Sequence, residues 1–224
     1  MKIDALIPAA GCGSRFSSEV KKQFYIIEGS EILYYTLLKL KKVFEFNKFI
    51  IGVDDEDLEI VQDICSRLLI DNVEYCKGGK LRQHTVYNAL LKSSADFVLI
   101  HDAVRPFVSA DVILKTINTA EKFDFAICGI KLRDSLKIVD KNCIIKSENR
   151  ERFILSHTPQ VFRRKPLENA LRYANKNEIV LYDDSQALEI AGSSVKFIES
   201  NLYNIKITHI DDIDFAKYLI KNDL

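Results

Sequence analysis

Residues 3–16 read IDALIPAAGCGSRF, Ile3 to Phe16, and the rest of the chain is read from them. Ile3–Ile7 is a short, mostly apolar run of strand length. Two small residues, two glycines one residue apart and an arginine follow it. Glycines permit the φ angles of a tight loop, and small side chains let backbone N–H groups approach phosphate oxygens. Two familiar phosphate patterns do not fit. A G-x-G-x-x-G loop needs a third glycine where Phe16 stands, and a Walker A loop ends in Gly-Lys-Ser/Thr where this chain has Ser14-Arg15. Taken alone, the stretch also describes a strand-to-helix turn that holds nothing.

Beyond it, apolar runs alternate with helical patterns. Strands are expected at Phe49–Val53, Val73–Cys76, Phe97–Ile100 and Phe125–Ile130, and helices at Ile32–Phe44, Asp57–Leu69, Leu81–Leu91 and Ala110–Lys122. In the second helix Leu58, Val61, Ile64, Cys65 and Leu68 share one face. Strands apolar on both sides and separated by helices imply an α/β fold: a Rossmann-like, mostly parallel sheet with helices on both faces.

Residues 132–160 break this rhythm. SLKIVDKNCIIKS, 135–147, alternates around Asp140-Lys141-Asn142 as a β-hairpin does. A lone hairpin of this polarity does not hold together by itself. It is expected to protrude as an arm, over 132–157, that packs on a second subunit. Helices at Lys165–Ala174, Asp184–Ala191 and Asp211–Lys221 and a strand at Val195–Glu199 complete the chain. With 224 residues and no Gly/Ser/Pro linker, one domain over 1–224 is expected.

Thirty-two basic residues balance thirty-two acidic ones, so no net field favours nucleic acid or an anionic membrane, and any anion site must be a local cluster. The five cysteines, at 12, 65, 76, 128 and 143, are scattered without C-x-x-C spacing, which argues against a zinc site or a disulfide framework. No apolar stretch approaches the ~18 residues of a spanning helix, and the expected location is the cytoplasm.

Ligands of open α/β sheets sit outside the carboxyl ends of the strands. Four groups are expected there. Lys22, in KKQF, lies seven residues beyond Arg15. KGGKLRQHTV places Gly78, Gly79, Arg82 and Thr85 at a helix start, suited to a base or ribose edge close to backbone. HDAVRP sets Asp102 directly after an apolar strand, well placed for a divalent metal, with Arg105 three residues on for an anion. Its alternative role, as a helix cap, falls better to Ser109 or Asp111. His101 reads as a packed histidine rather than a base. Lys206 stands between two isoleucines in an apparent strand, either at an edge facing water or aimed into a site.

No nucleophile stands beside a base. What accumulates is cationic (Arg15, Lys22, Arg82, Arg105, Arg150, Lys206), with one metal-type carboxylate, Asp102. That inventory suits phosphoryl or nucleotidyl transfer, where positioning and charge neutralisation dominate.

In order and rough spacing, PAAGCGSRF, KKQF, GGKLRQHTV, HDAVRPF, DSLK, NRERFILSHTPQVF, YDDSQALE and NIKIT resemble the 2-C-methyl-D-erythritol 4-phosphate cytidylyltransferases, over residues 3 to 219. Ribitol 5-phosphate cytidylyltransferases share most of these motifs. The resemblance implies CTP, Mg²⁺ and a sugar-alcohol phosphate as ligands, and a CDP-alcohol and pyrophosphate as products. It implies that Ala9, Ala10, Gly11 and Gly13 hold CTP by backbone contacts. Arg15, Lys22 and Lys206 would neutralise charge at the α-phosphate, and Gly78, Gly79, Arg82 and Thr85 would surround cytosine and ribose. Asp102 would bind Mg²⁺, while Arg105, Ser135, Arg150 and Thr158 would meet the alcohol phosphate. The family's arm reaches over a partner, so the resemblance also implies a homodimer.

Ser135 replaces the family's usual threonine and keeps the hydroxyl. Tyr182-Asp183-Asp184 departs from the family's Thr-Asp pattern and receives no role. NR at 149–150 and LYNIKIT at 202–208 lean to the ribitol enzyme; DDSQALE and the lysine of DSLK lean to the erythritol enzyme, which the balance favours. Two further classes stay open. One is a hexose 1-phosphate nucleotidylyltransferase, against which GGKLRQHTV argues. The other is a nucleotide-binding protein without turnover, against which Lys22, Lys206 and Asp102 argue.

Overall fold

A computed structural model describes residues 1–11, 16 and 20–222. Strand β1, Ile3–Pro8, is buried almost throughout because it lies inside a sheet covered on both faces. The chain continues through a two-strand ribbon, β2 (Ile26–Ile27) and β3 (Ser30–Glu31), into α1 (Ile32–Val43). Next come β4 (Lys48–Val53), α2 (Leu58–Arg67), β5 (Val73–Lys77), α3 (Arg82–Lys92), β6 (Phe97–Ile100), α4 (Ala110–Phe123) and β7 (Phe125–Lys131). The hairpin β8 (Leu136–Asp140) and β9 (Cys143–Glu148) precedes β10 (Ile154–Arg163). α5 (Arg164–Lys176), α6 (Ser185–Ile190), β11 (Lys196–Glu199) and α7 (Asp212–Lys221) close the fold.

The main sheet has the order β11-β7-β10-β6-β1-β4-β5. Every pairing in it is parallel except those of β10, which runs antiparallel to both β6 and β7. Alternation along the strands divides the core. Ile3, Ala5 and Ile7 face α1, α2 and α4 through Leu33, Leu37, Ile64 and Ile113. Leu6, Ile50 and Val98 face α3 and α5 through Val86, Leu90, Leu167 and Leu171. Helices therefore cover both faces, as the sequence pattern implies. A third cluster, with Val104, Phe107, Ile207 and Leu219, seats α7.

Two elements differ from expectation. The sequence pattern gives no strand at 154–163, because Pro159 inside a strand argues against one. The structure accommodates it at a register shift between His157 and Gln160. The direction of β10 follows from the path: β7 leaves the sheet at its carboxyl edge, the hairpin lies beyond that edge, and the chain re-enters from there. The second difference is NIKIT, which is extended but not a strand. Ile207 N–H bonds to the Val104 carbonyl at 3.0 Å and its side chain is fully buried, while Lys206 faces the other way. The alternation is genuine although no ladder forms.

The hairpin turns at Lys141 (φ 43°) and Asn142 (φ 65°), two positive φ values in succession, as a two-residue I′ turn requires. Ile138, Val139, Ile144 and Ile145 on it are all exposed.

Candidate active site

The carboxyl ends of β1, β5 and β6 open onto one cavity of about 320 Å³, within the usual range of small-molecule sites. Ala9, Ala10 and Gly11 of the first loop line it, with Lys22 and Gln23. Gly79–Arg82 and Thr85, Asp102–Val104 and Lys206 complete the wall. Nine of the residues singled out from sequence thus meet around one space, although they span residues 9 to 206.

Local bonding fixes the two backbone loops. Gln23 is buried, and its Nε2 donates to the Ala9 carbonyl at 2.6 Å and the Gly11 carbonyl at 3.0 Å. A planar trans peptide puts the following N–H opposite its carbonyl, so the Ala10 N–H is turned away from Gln23. On the second loop, the Gly79 N–H donates to Thr85 Oγ1 at 2.9 Å. A side chain at Gly78 would overlap the Ala10 methyl and the Asp54 carboxylate. The two loops touch there, and only a glycine fits.

Asp102 is the electrostatic centre. Its side chain is 8 % exposed, and Arg82 Nε reaches Oδ1 at 2.9 Å. Lys206 Nζ reaches Oδ2 at 3.0 Å and Arg105 Nε the same oxygen at 3.3 Å. Burial would raise its pKa, but Arg82, Lys206 and Arg105 together hold it well below the usual carboxylate range. The Asp102 N–H donates to Thr158 Oγ1 at 3.0 Å, which fixes the backbone as well. Arg105 is buried and donates to the Asn204 carbonyl at 2.7 Å; Asn204 Nδ2 in turn donates to the Thr158 carbonyl at 2.9 Å. Arg105 and Thr158 therefore stand behind Asp102 rather than in the cavity wall.

Arg82 has a second carboxylate. Its NH1 lies 2.7 Å from Asp184 Oδ2, and Asp184 is 1 % exposed. Burial raises the Asp184 pKa against the opposing pull of Arg82. His101 is buried, and its Nε2 donates to the Arg105 carbonyl at 2.9 Å. Burial lowers its pKa to about 4, so it stays neutral, consistent with a packed histidine.

A separate acidic group, Asp54, Glu56 and Asp57, gathers its oxygens within 4.8 Å of one another. The Lys21 ammonium sits on it, 2.5 Å from Asp57 and from Glu56 and 3.5 Å from Asp54.

Ser135 and Arg150 lie elsewhere, exposed at the base of the hairpin, with Arg150 NH1 donating to the Arg133 carbonyl. Gly13 and Arg15 fall outside the described residues. The sequence pattern assigns no site role to Gln23, Lys80, Asn204 or Asp184. Gln23, next to Lys22, and Asn204, two residues before Lys206, both stand inside quoted motifs. Asp184 carries no periodic signal; only its contact with Arg82, 102 positions away, reveals it.

Three cations on one ionised carboxylate, with Lys22 in the same cavity wall and two glycine loops at a strand edge, suit the phosphates of a nucleotide. The family model IspD, 2-C-methyl-D-erythritol 4-phosphate cytidylyltransferase, matches residues 3–222. The chain belongs to the IspD family. It is accordingly a nucleotidyltransferase, and the fold agrees: the crystal structure of 4-diphosphocytidyl-2C-methyl-D-erythritol synthase from Anaerococcus prevotii superposes with a TM-score of 0.87 at 30% identity, covering 98% of this chain and 96% of that one. Among relatives named 2-C-methyl-D-erythritol 4-phosphate cytidylyltransferase, the one from Fusobacterium nucleatum is 37% identical over 96% of both chains. That from Clostridium botulinum is 35% identical over 98% of both. The IspD match spans Lys22 and Lys206, the Asp102 cluster and the hairpin.

Proposed function

We propose that this site transfers CMP from CTP to 2-C-methyl-D-erythritol 4-phosphate, releasing pyrophosphate, in isoprenoid precursor synthesis. The observation that carries the reading is the convergence of Lys22, Arg82 and Lys206 on one cavity beside Asp102. Relatives named for this acceptor support it, and ribitol 5-phosphate is not favoured.

In this mechanism a phosphate oxygen of the acceptor attacks the α-phosphorus of CTP in line. The bond from that phosphorus to the bridging oxygen breaks, and pyrophosphate leaves. No general base is needed, because the acceptor phosphate is already ionised at neutral pH. His101 is buried, bonded to the Arg105 carbonyl and set behind the cavity wall, so it takes no part as a base. Ala9, Ala10, Gly11 and Gly79 approach the nucleotide by backbone, with Gly78 packed beneath them. Arg82 and Thr85 set the cytosine and ribose side. Lys22, Lys206 and Arg15 offset negative charge that builds in the transition state. Arg105 and Thr158 hold Asp102 in place, and Arg105 adds positive potential from behind.

Asp102 is a single ionised carboxylate in a cavity wall, which is the donor that Mg²⁺ uses together with substrate phosphates. It would hold the ion, and the ion would supply further neutralisation of phosphate charge. We read the exposed hairpin as a dimerisation arm that brings Ser135 and Arg150 to the acceptor phosphate in a second copy. A cytoplasmic location is supported by Cys65, Cys76, Cys128 and Cys143, all free thiols. Among the described residues no helix is long and apolar enough to cross a membrane.

Removing Lys206 tests the reading. Lys206→Ala should lower turnover about 10²–10³-fold, as loss of one oxyanion donor does. Lys22→Ala should do the same. Near wild-type turnover in either variant contradicts the assignment.

A further inference from the structure

The turn Lys22–Phe24 is a single 3₁₀ turn held by two backbone bonds, Phe24 N–H to the Lys21 carbonyl at 2.9 Å and Tyr25 N–H to the Lys22 carbonyl at 3.2 Å. Successive side chains of such a turn leave its axis about 120° apart. Gln23 points to the first-loop carbonyls and Phe24 into the core. The third direction, that of Lys22, is the cavity. Two side chains thus fix the rotation of the turn, but Lys22 is its first residue, at the end where a short turn frays most readily.

Lys21 lies at that end. Its ammonium contacts Asp57 and Glu56 at 2.5 Å and Asp54 at 3.5 Å. Asp54 and Asp57 lie between β4 and α2, so the anchor point belongs to the sheet-and-helix body. The Asp57 side chain is only 10 % exposed, and that of Lys21 20 %. A long side chain held at three carboxylates differs from a solvated surface lysine. It removes the rotamer freedom that an exposed lysine keeps.

We infer that Lys21 is a positioning residue: clasped by Asp54, Glu56 and Asp57, it fixes the start of the turn and so aims Lys22 at the reacting phosphate. The inference rests on the reading of Lys22 given above. It makes Lys21 specific to the transition state without touching substrate. Displacing a catalytic group by about 1 Å is enough to cost ~10²-fold, so loosening one anchor of Lys22 is expected to cost about tenfold.

The test is steady-state kinetics of Lys21→Met, Lys21→Arg and Asp57→Asn, with CTP and 2-C-methyl-D-erythritol 4-phosphate, well below each variant's Tm. Lys21→Met should lower kcat about tenfold while KM for CTP stays within about twofold, the pattern of an interaction realised only in the transition state. Lys21→Arg should recover most of the loss, and Asp57→Asn should reproduce it. In the double variant Lys21→Met/Asp57→Asn the losses should not add, because both break one clasp. A wild-type kcat in Lys21→Met, or a raised KM at unchanged kcat, overturns the inference. Should Lys21→Met fold poorly, Asp57→Asn decides by the same criteria. If Lys22→Ala abolishes turnover while Lys21→Met does not, the clasp fails and the catalytic reading stands. If Lys22→Ala itself is fully active, the reading beneath it fails.

Discussion

Arg82 links Asp102 and Asp184 through different nitrogens of one guanidinium, Nε at 2.9 Å and NH1 at 2.7 Å. The two carboxylates come from separate parts of the chain, and each sees a different environment. Asp102 has three cationic neighbours and stays ionised, whereas burial pushes Asp184 the other way. Arg82 therefore ties the α6 end of the fold to the cavity wall.

Cutting that tie has a defined consequence. Asp184→Ala leaves Arg82 with Asp102 alone and should destabilise the protein by about 1.5–3 kcal/mol, the usual range for a hydrogen bond to a charged group. KM for CTP should rise, because Arg82 is no longer held to one rotamer. Asp184→Asn keeps an acceptor and should recover part of both effects. Urea unfolding midpoints and CTP titration of the three proteins check this, and an Asp184→Ala protein with unchanged midpoint and KM contradicts it.

Two histidines contribute to the pH response, His101 buried and His157 half-buried. Burial lowers the pKa of both His101 and His157 to about 4 in the folded chain, against an ordinary value of about 6.5 when unfolded. Between those values the unfolded chain binds more protons, so stability falls as pH falls. Their contribution is complete above about 6.5 and is lost progressively towards 4. Asp102 adds nothing to this window, because its contribution is lost only as pH falls through its depressed value. Asp184, raised by burial, pulls in the opposite sense where carboxylates titrate. Tm should therefore drop from pH 7.5 to pH 5, and His101→Gln should flatten that slope. A Tm that holds or rises towards pH 5 contradicts the assignment.

The arm makes a prediction about assembly. Ile144 is 67% exposed and Ile145 59%, and adjacent strand residues point to opposite faces, so both faces of the hairpin carry uncovered apolar surface. Ile144→Asp/Ile145→Asp should convert a dimer to a monomer in sedimentation velocity and remove most turnover, since Ser135 and Arg150 would no longer reach a second cavity. A wild-type protein that is monomeric and fully active contradicts the dimer reading.

Much of this fold is legible in the sequence, for physical reasons. Strands buried on both sides, such as Phe97–Ile100, announce themselves as unbroken apolar runs, and α2 shows its one apolar face. The hairpin is visible because its alternation brackets a turn that needs positive φ. β10 is hidden because its proline and polar residues suit a bulged strand that brings Thr158 to the Asp102 backbone. Lys206 is legible as an anomaly, a cation between two isoleucines, although its segment is not a strand. Asp184 and the Lys21 clasp are invisible in one dimension, since each depends on contacts between distant segments that no local pattern records.

The central claim is a transfer of CMP, and its most direct measurement is phosphorus NMR of the reaction itself. The purified protein is incubated with CTP, Mg²⁺ and either 2-C-methyl-D-erythritol 4-phosphate or ribitol 5-phosphate. The account predicts pyrophosphate and a CDP-alcohol diphosphate signal in equal amounts with the erythritol acceptor, and far slower formation with the ribitol acceptor. CTP that remains intact with both, or faster transfer to ribitol 5-phosphate, contradicts it.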